Sequence, residues 1–201
     1  MKVTNVTITD LEESIKASKY PMAVDTEKCN VDITDTVKKL GHAPRGTAHD
    51  NFLHGIHVGF DLTFTNKAWI EMERYHFIDI VSSQSTMHRI TKLPIREMCN
   101  GYVDERIINI IESFVDEYNS LEDKTTKEAK ELYLKILYNI PAGIELTARI
   151  STNYGQLKTI YFQRKSHRLP EWRKFCEWIE KLPHFKDLCL SQLNQLSQGN
   201  A

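Results

Sequence analysis

The chain has 201 residues, of which 41% are hydrophobic and 26% charged, with a formal net charge of −1. That length and composition suit one domain with a substantial core and exclude a fibre or a disordered chain. The near-zero charge removes the global basic field of a protein that coats nucleic acid, so no nucleic-acid partner is expected and any polyanion must be met locally.

Residues 1–45 are mixed and polar, with a short helix predicted after Thr9 or Asp10 over LEESIKAS and then the loop-like KCNVDITDT. They read as an accessory segment, and residues 46–201 as the main domain. VGFDLTFT (58–65) alternates, placing Val58, Phe60, Leu62 and Phe64 on one face of a half-buried strand. Asn66 is the expected cap of the next helix, KAWIEMERYHF, in which Trp69, Met72 and His76 recur at helical spacing.

Asp104 opens a second helix, ERIINIIESFVDEY, with a stripe of Ile107, Ile111, Phe114 and Tyr118. Thr125 and Glu128 form a capping-box signature for a third helix that runs to about Tyr138 and is ended by Pro141. GIELTARIST is a second alternating strand, with Ile144, Leu146, Ala148 and Ile150 facing one way. Asn153 stands at the strand-to-helix junction before NYGQLKTIYFQRK, which buries Leu157, Ile160 and Tyr161. Pro170 starts a last helix, EWRKFCEWIEKL, burying Trp172, Phe175 and Trp178 or Ile179. The order predicts an α+β fold, an antiparallel or mixed sheet packed with helices, rather than regular βαβ alternation.

No stretch approaches about 18 consecutive apolar residues, and the opening MKVTNVTITDLEES lacks a signal-peptide segment. A cytoplasmic protein without a membrane partner is expected. Cys29, Cys99, Cys176 and Cys189 form no CxxC pair, which argues against a zinc knuckle and fits reduced thiols.

Several constellations carry candidate chemistry. His49, His54 and His57 have metal-like spacing, but matching carboxylates are not evident, so hydrogen-bonded or solvated histidines are the default and no metal is expected. His49-Asp50 is the HD dipeptide of metal-dependent phosphohydrolases, which also need a further upstream His and downstream Asp on helices. Lys158, Arg164, Lys165, His167, Arg168, Arg173 and Lys174 form a basic run. It reads equally as a solvated helix face and as a local phosphate or carboxylate site, with Arg164 closest to the buried stripe. The run SSQST (82–86) after FIDIV suits a phosphate, and suits a helix cap and turn as well.

Taken together, HDNFLHGIHVGFDL, YHFIDIVSSQSTMH and NYGQLKTIYFQR resemble, in order and spacing, three motif regions of the flavin-dependent thymidylate synthases. These are a GHxS-type turn before a strand, the signature RHRxxSxNExSxRY, and a C-terminal N(x)5(H/N)(x)4R helix. His49 and Asn51 fall on the first motif's His and hydroxyl residue. His76 and Ser85 keep the separation of the signature's His and second Ser, and Asn153, Thr159 and Arg164 keep the spacing of the third region. The overlap runs from about residue 46 to 180. Within the signature, Tyr75 and Phe77 replace the arginines beside His76, Ser82-Ser83 replaces Asn-Glu, and Met87-His88 stands where Arg-Tyr is expected, with Arg89 two places late. A bidentate guanidinium contact to phosphate is about twice as strong as a neutral one, so these losses bear on ligand binding.

The resemblance implies a flavin-dependent thymidylate synthase-like fold and conversion of dUMP to dTMP. FAD would be the cofactor, with methylenetetrahydrofolate and NADPH as co-substrates. It places Ser85 and Arg164 as catalytic residues, Gln84, Ser85, Arg89 and Arg164 at the pyrimidine deoxynucleotide, and His49, Asn51, His76, Asn153 and Thr159 around the flavin. It also implies a homotetramer with shared active sites. The alternative is a divergent member that binds pyrimidine nucleotide or flavin without thymidylate synthase activity.

Overall fold

A computed structural model of the chain describes residues 1–190, so the end of the 46–201 domain lies outside the described residues. Four strands, β1 (Lys2–Thr9), β2 (His57–Thr65), β3 (Asp79–Ser83) and β4 (Glu145–Asn153), form one sheet in the order β1-β2-β4-β3. The helices are α1 (Leu11–Ala17), α2 (Asp35–His42), α3 (Asn66–Met72), two single turns α4 (Thr86–Arg89) and α5 (Ile95–Met98), α6 (Glu105–Ser120), α7 (Lys127–Tyr138), α8 (Tyr154–Arg164), α9 (Pro170–Ile179) and α10 (Phe185–Cys189). The fold is α+β, as the element order predicts. Cross-strand partners fix an antiparallel register between β2 and β4: Thr63 and Thr147 share a 2.8 Å hydroxyl bond, and Arg149 meets Asp61 at 3.3 Å. Among the described residues no helix is long and apolar enough to cross a membrane.

The chain divides into two compact units. The first comprises Met1–Lys2, Leu62–Arg74 and Ser82–Ala148. Its core joins Ile90, Ile95, Ile111, Ile136 and Ile144, with Phe114 and Tyr118 of α6 and Tyr133 of α7 packed around them. Here α6 turns Ile108 inward, 4% exposed, and leaves Ile107 at 44%, so the expected stripe is displaced by one residue at its N-terminal end. Helix starts also shift by one residue. Thr65, not Asn66, caps α3 by accepting from the Ala68 amide at 3.1 Å, and Thr126, not Thr125, caps α7. Thr125 instead gives its amide and hydroxyl to Asp123, which puts the Thr125/Glu128 box out of register. The Asp104 cap of α6 holds as expected, accepting from Arg106 N.

The second unit comprises Val3–Asp61, Tyr75–Val81 and the chain from Arg149 onward. Phe60 of β2 packs on Phe175 and Trp178 of α9, with Trp172, Phe175 and Ile179 fully buried. Each such side chain contributes about 1.5–3 kcal/mol of burial. Residues 3–45 take a full part in this unit, because β1 pairs with β2 and α2 packs on α10. That second contact is close: a Cβ on Gly41 would stand 2.0 Å from the Leu188 carbonyl oxygen, so only glycine admits it. In β1, Asn5 takes φ 50° and interrupts the pleat. The interruption puts Val3 out of phase with Val6 and Ile8, so KVTNVTIT shows no period-two signal.

Candidate functional site

In the second unit the site is built where β4 runs into α8. Asn153 ends the strand, is buried, and caps α8 by accepting from the Gln156 amide at 2.9 Å. Thr159, one turn on, gives its hydroxyl to the Gly155 carbonyl at 3.1 Å. A 3-10 turn, Asn51–His54, packs against this helix. It lays the His54 ring so near Gly155 that a Cβ there would approach it to 2.9 Å. His54 Nε2 lies 2.8 Å from Arg45 Nη1, and its ring meets Phe77 edge-on with centroids 6.0 Å apart. Burial first, then the adjacent Arg45 charge, hold the His54 pKa below its ordinary value, opposed by Asp50 and by a hydrogen bond with Asn153.

Lys158 is not part of a basic surface. Its ammonium, 3% exposed as a residue, donates to Gly41 O at 2.8 Å, Ala43 O at 2.7 Å and Asp50 Oδ2 at 2.9 Å. The lysine therefore ties α8 to the end of α2 and to the turn that follows. Asp50 is 1% exposed and committed to this pair, whereas its neighbour His49 is exposed. Adjacent metal ligands must converge, so this His-Asp dipeptide is not the phosphohydrolase pair. Among the described residues no group of three His, Cys, Asp or Glu side chains is placed to hold a metal ion.

His49 and Asn51 line a cavity of about 930 Å³ whose other walls include Lys19 and Pro21 after α1, Asn30, and Val37 and Leu40 of α2. Its polar groups are few: Lys19, which already donates to Asn30, and scattered hydroxyls and amides. Ala48, directly before His49, has φ 63°. This is the left-handed conformation for which glycine is the natural residue, and glycine is what a GHxS-type turn carries there.

At the other end of α8, Arg164 donates from Nε to the Tyr75 hydroxyl at 2.7 Å, and its guanidinium carbon lies 4.8 Å above the Trp172 ring. Tyr75 in turn donates to Gln163 Oε1 at 3.0 Å. Thus the residue replacing the signature's first arginine engages the arginine of the third region. The helix expected through His76 stops at Met72, and the chain then turns at Phe77, which takes φ 59°. His76 is exposed on this turn.

Gln84, Ser85 and Arg89 belong to the first unit, and His49, Asn51, His76, Asn153, Thr159 and Arg164 to the second. Gln84 is doubly bound to Thr147: its amide donates to Thr147 O at 2.9 Å, and its Oε1 accepts from Thr147 N at 2.8 Å. This prolongs the β3-β4 pairing by one side chain. Ser82 and Ser83 are the exposed end of β3. Ser85 stands at the N-cap of α4 without a hydroxyl cap bond, while its carbonyl accepts from Arg89 N at 3.2 Å. Arg89 is exposed. Sequence reasoning did not single out Arg45, and it named His54, Asp50 and Lys158 without their partners; Gly155, two residues after Asn153, was the available signal of a close approach.

The architecture is that of the flavin-dependent thymidylate synthases. Two structures of the enzyme ThyX from Helicobacter pylori, both with FAD and dUMP, superpose with TM-scores of 0.67 and 0.68 at 16% and 18% identity, covering 95% and 96% of this chain and 100% of theirs. A UMP/dUMP methylase, PolB from Streptomyces cacaoi, bound to 5-bromo-dUMP, matches with a TM-score of 0.59 at 13% identity, over 93% of this chain and 89% of that one. No family model and no curated protein matches the sequence.

Proposed function

We propose that this chain binds FAD and dUMP and converts dUMP to dTMP, with a folate one-carbon donor and NADPH as reductant. The observation that carries the reading is the likeness over nearly the whole chain to ThyX, a protein seen with FAD and dUMP. Local chemistry supports it. The 930 Å³ cavity is of a size that takes a cofactor, and His49 and Asn51, assigned to flavin from their motif, lie on its wall. His49, Asn51, His76, Asn153 and Thr159 would hold the flavin, and Gln84, Ser85, Arg89 and Arg164 the nucleotide. Flavin, when bound and reduced, supplies the reducing equivalents that turn a transferred methylene into a methyl group. The protein's part is positioning: Asn153 fixes the start of α8, and Lys158 fixes the turn carrying His49.

A second reading, a relative that binds these ligands without turnover, is favoured by the Tyr75-Arg164 bond, which engages the motif arginine inside the protein. We assign a homotetramer in both readings; exposed Ile107 and Ile110 on α6 suit a subunit contact. The test is the visible spectrum of the purified protein, followed by FAD reconstitution, dUMP titration and assay for dTMP with methylenetetrahydrofolate and NADPH. Flavin bands bleached by NADPH, with dTMP formed, support the first reading. Binding without product supports the second, and a protein that takes up neither ligand refutes both.

A further inference from the structure

Phe77 is placed against two ordinary preferences at once. Its backbone takes φ 59°, a left-handed conformation rare for a bulky residue, and its ring is 65% exposed. Its neighbour Ile78 is 8% exposed, so the turn buries one apolar side chain and directs the next to solvent. The conformation is held from below: buried Thr152 at the end of β4 donates its hydroxyl to the Phe77 carbonyl at 2.8 Å. It is held from the side by the His54 ring, which meets Phe77 at an interplanar angle of 69°. His54 is itself fixed by Arg45 and by the absence of a side chain at Gly155. The Asn51–His54 turn therefore has Asn51 and Phe52 on the cavity wall at one end and His54 against Phe77 at the other.

Strained, exposed and braced side chains cluster where ligands are clamped. We propose that Phe77 is a stacking platform for the planar ring system of the bound flavin. The inference rests on the FAD reading above. An offset or edge-on aromatic ring suits an extended heterocycle, and the braced turn presents Phe77 with little ordering left to accomplish on binding.

The test compares wild type with Phe77→Gly and Phe77→Trp in the full chain, by FAD titration, dUMP titration, thermal unfolding and solution mass. Glycine suits the left-handed backbone, so Phe77→Gly is expected to fold with stability equal to or above wild type while binding FAD about 10-fold more weakly. Phe77→Trp is expected to retain FAD affinity and to show indole quenching on FAD addition beyond that of wild type. Wild-type FAD affinity in Phe77→Gly overturns the stacking role alone. So does loss of dUMP rather than FAD affinity, a marked loss of stability, or a ligand-independent change in solution mass, which would mark a contact between copies. A wild-type protein that does not bind FAD overturns the parent reading and the stacking role with it.

Discussion

Lys158→Met removes an ammonium that serves three acceptors at once, the carbonyls of Gly41 and Ala43 and the carboxylate of Asp50. Methionine keeps most of the apolar stem, so the loss is electrostatic rather than a cavity. Asp50, with a side chain 2% exposed, is then left among the described residues with Arg45 as its ion-pair partner, 3.6 Å away and 37% exposed. Removing one partner of a buried pair costs about 3–5 kcal/mol, because the remaining charge is neither solvated nor matched. Against a typical stability of about 5–15 kcal/mol this is about a fifth or more of the total. For a chain of this size it lowers Tm by about 6–20 °C. Urea unfolding followed by tryptophan fluorescence, with calorimetry in parallel, measures it. The Asp50→Asn/Lys158→Met double variant is expected to be more stable than Lys158→Met, since the uncompensated carboxylate is gone. Because the same ammonium fixes the turn that carries His49, the proposed FAD site predicts a fall in FAD affinity in Lys158→Met as well. A single variant within about 1 kcal/mol of wild type, or a double variant no better than the single, refutes the clamp.

Ala48→Gly relieves a left-handed alanine at φ 63° and should stabilise the protein by about 0.5–1 kcal/mol, read as a rise in Tm without loss of FAD binding. His54 and His42 both have pKa values lowered mainly by burial from 6.5. Between their folded values and 6.5 the unfolded chain binds more protons, so stability is full above 6.5 and declines as the pH falls through that window. His54→Gln is expected to flatten part of the decline in a Tm-against-pH series. Native-state thiol labelling should modify the partly exposed Cys29 before Cys176 or Cys189. Both of those are buried, and burial pushes the Cys176 thiol up to about 12 and Cys189 higher still. Mass spectrometry after a short alkylation pulse reads the order, and labelling of Cys189 first would contradict the described core.

What could be read from sequence was whatever a regular period or a single capping residue announces. The faces of β2 and β4, the Asp104 and Asn153 caps and the Pro170 start needed only local pattern, and local pattern set them. β1 was hidden by the left-handed Asn5, and β3 by its five exposed residues, which give no inward face to alternate with. Lys158 looked like one of seven basic residues on two helices, because the carboxylate that removes it from solvent lies 108 positions away. The same distance problem hid His54 and Phe77, whose roles depend on Gly155 and Thr152.

β3 forms the outer edge of the sheet, and among the described residues it has a strand on one side only. Its open side offers main-chain donors and acceptors beside exposed Ile80 and Val81, with Asp79 as the sole charge in the strand. An edge of this kind recruits any extended peptide without regard to its sequence, and charge is the usual deterrent. Asp79 is therefore the one charge within the strand that opposes such pairing, and Asp79→Asn is expected to raise light scattering of the concentrated protein.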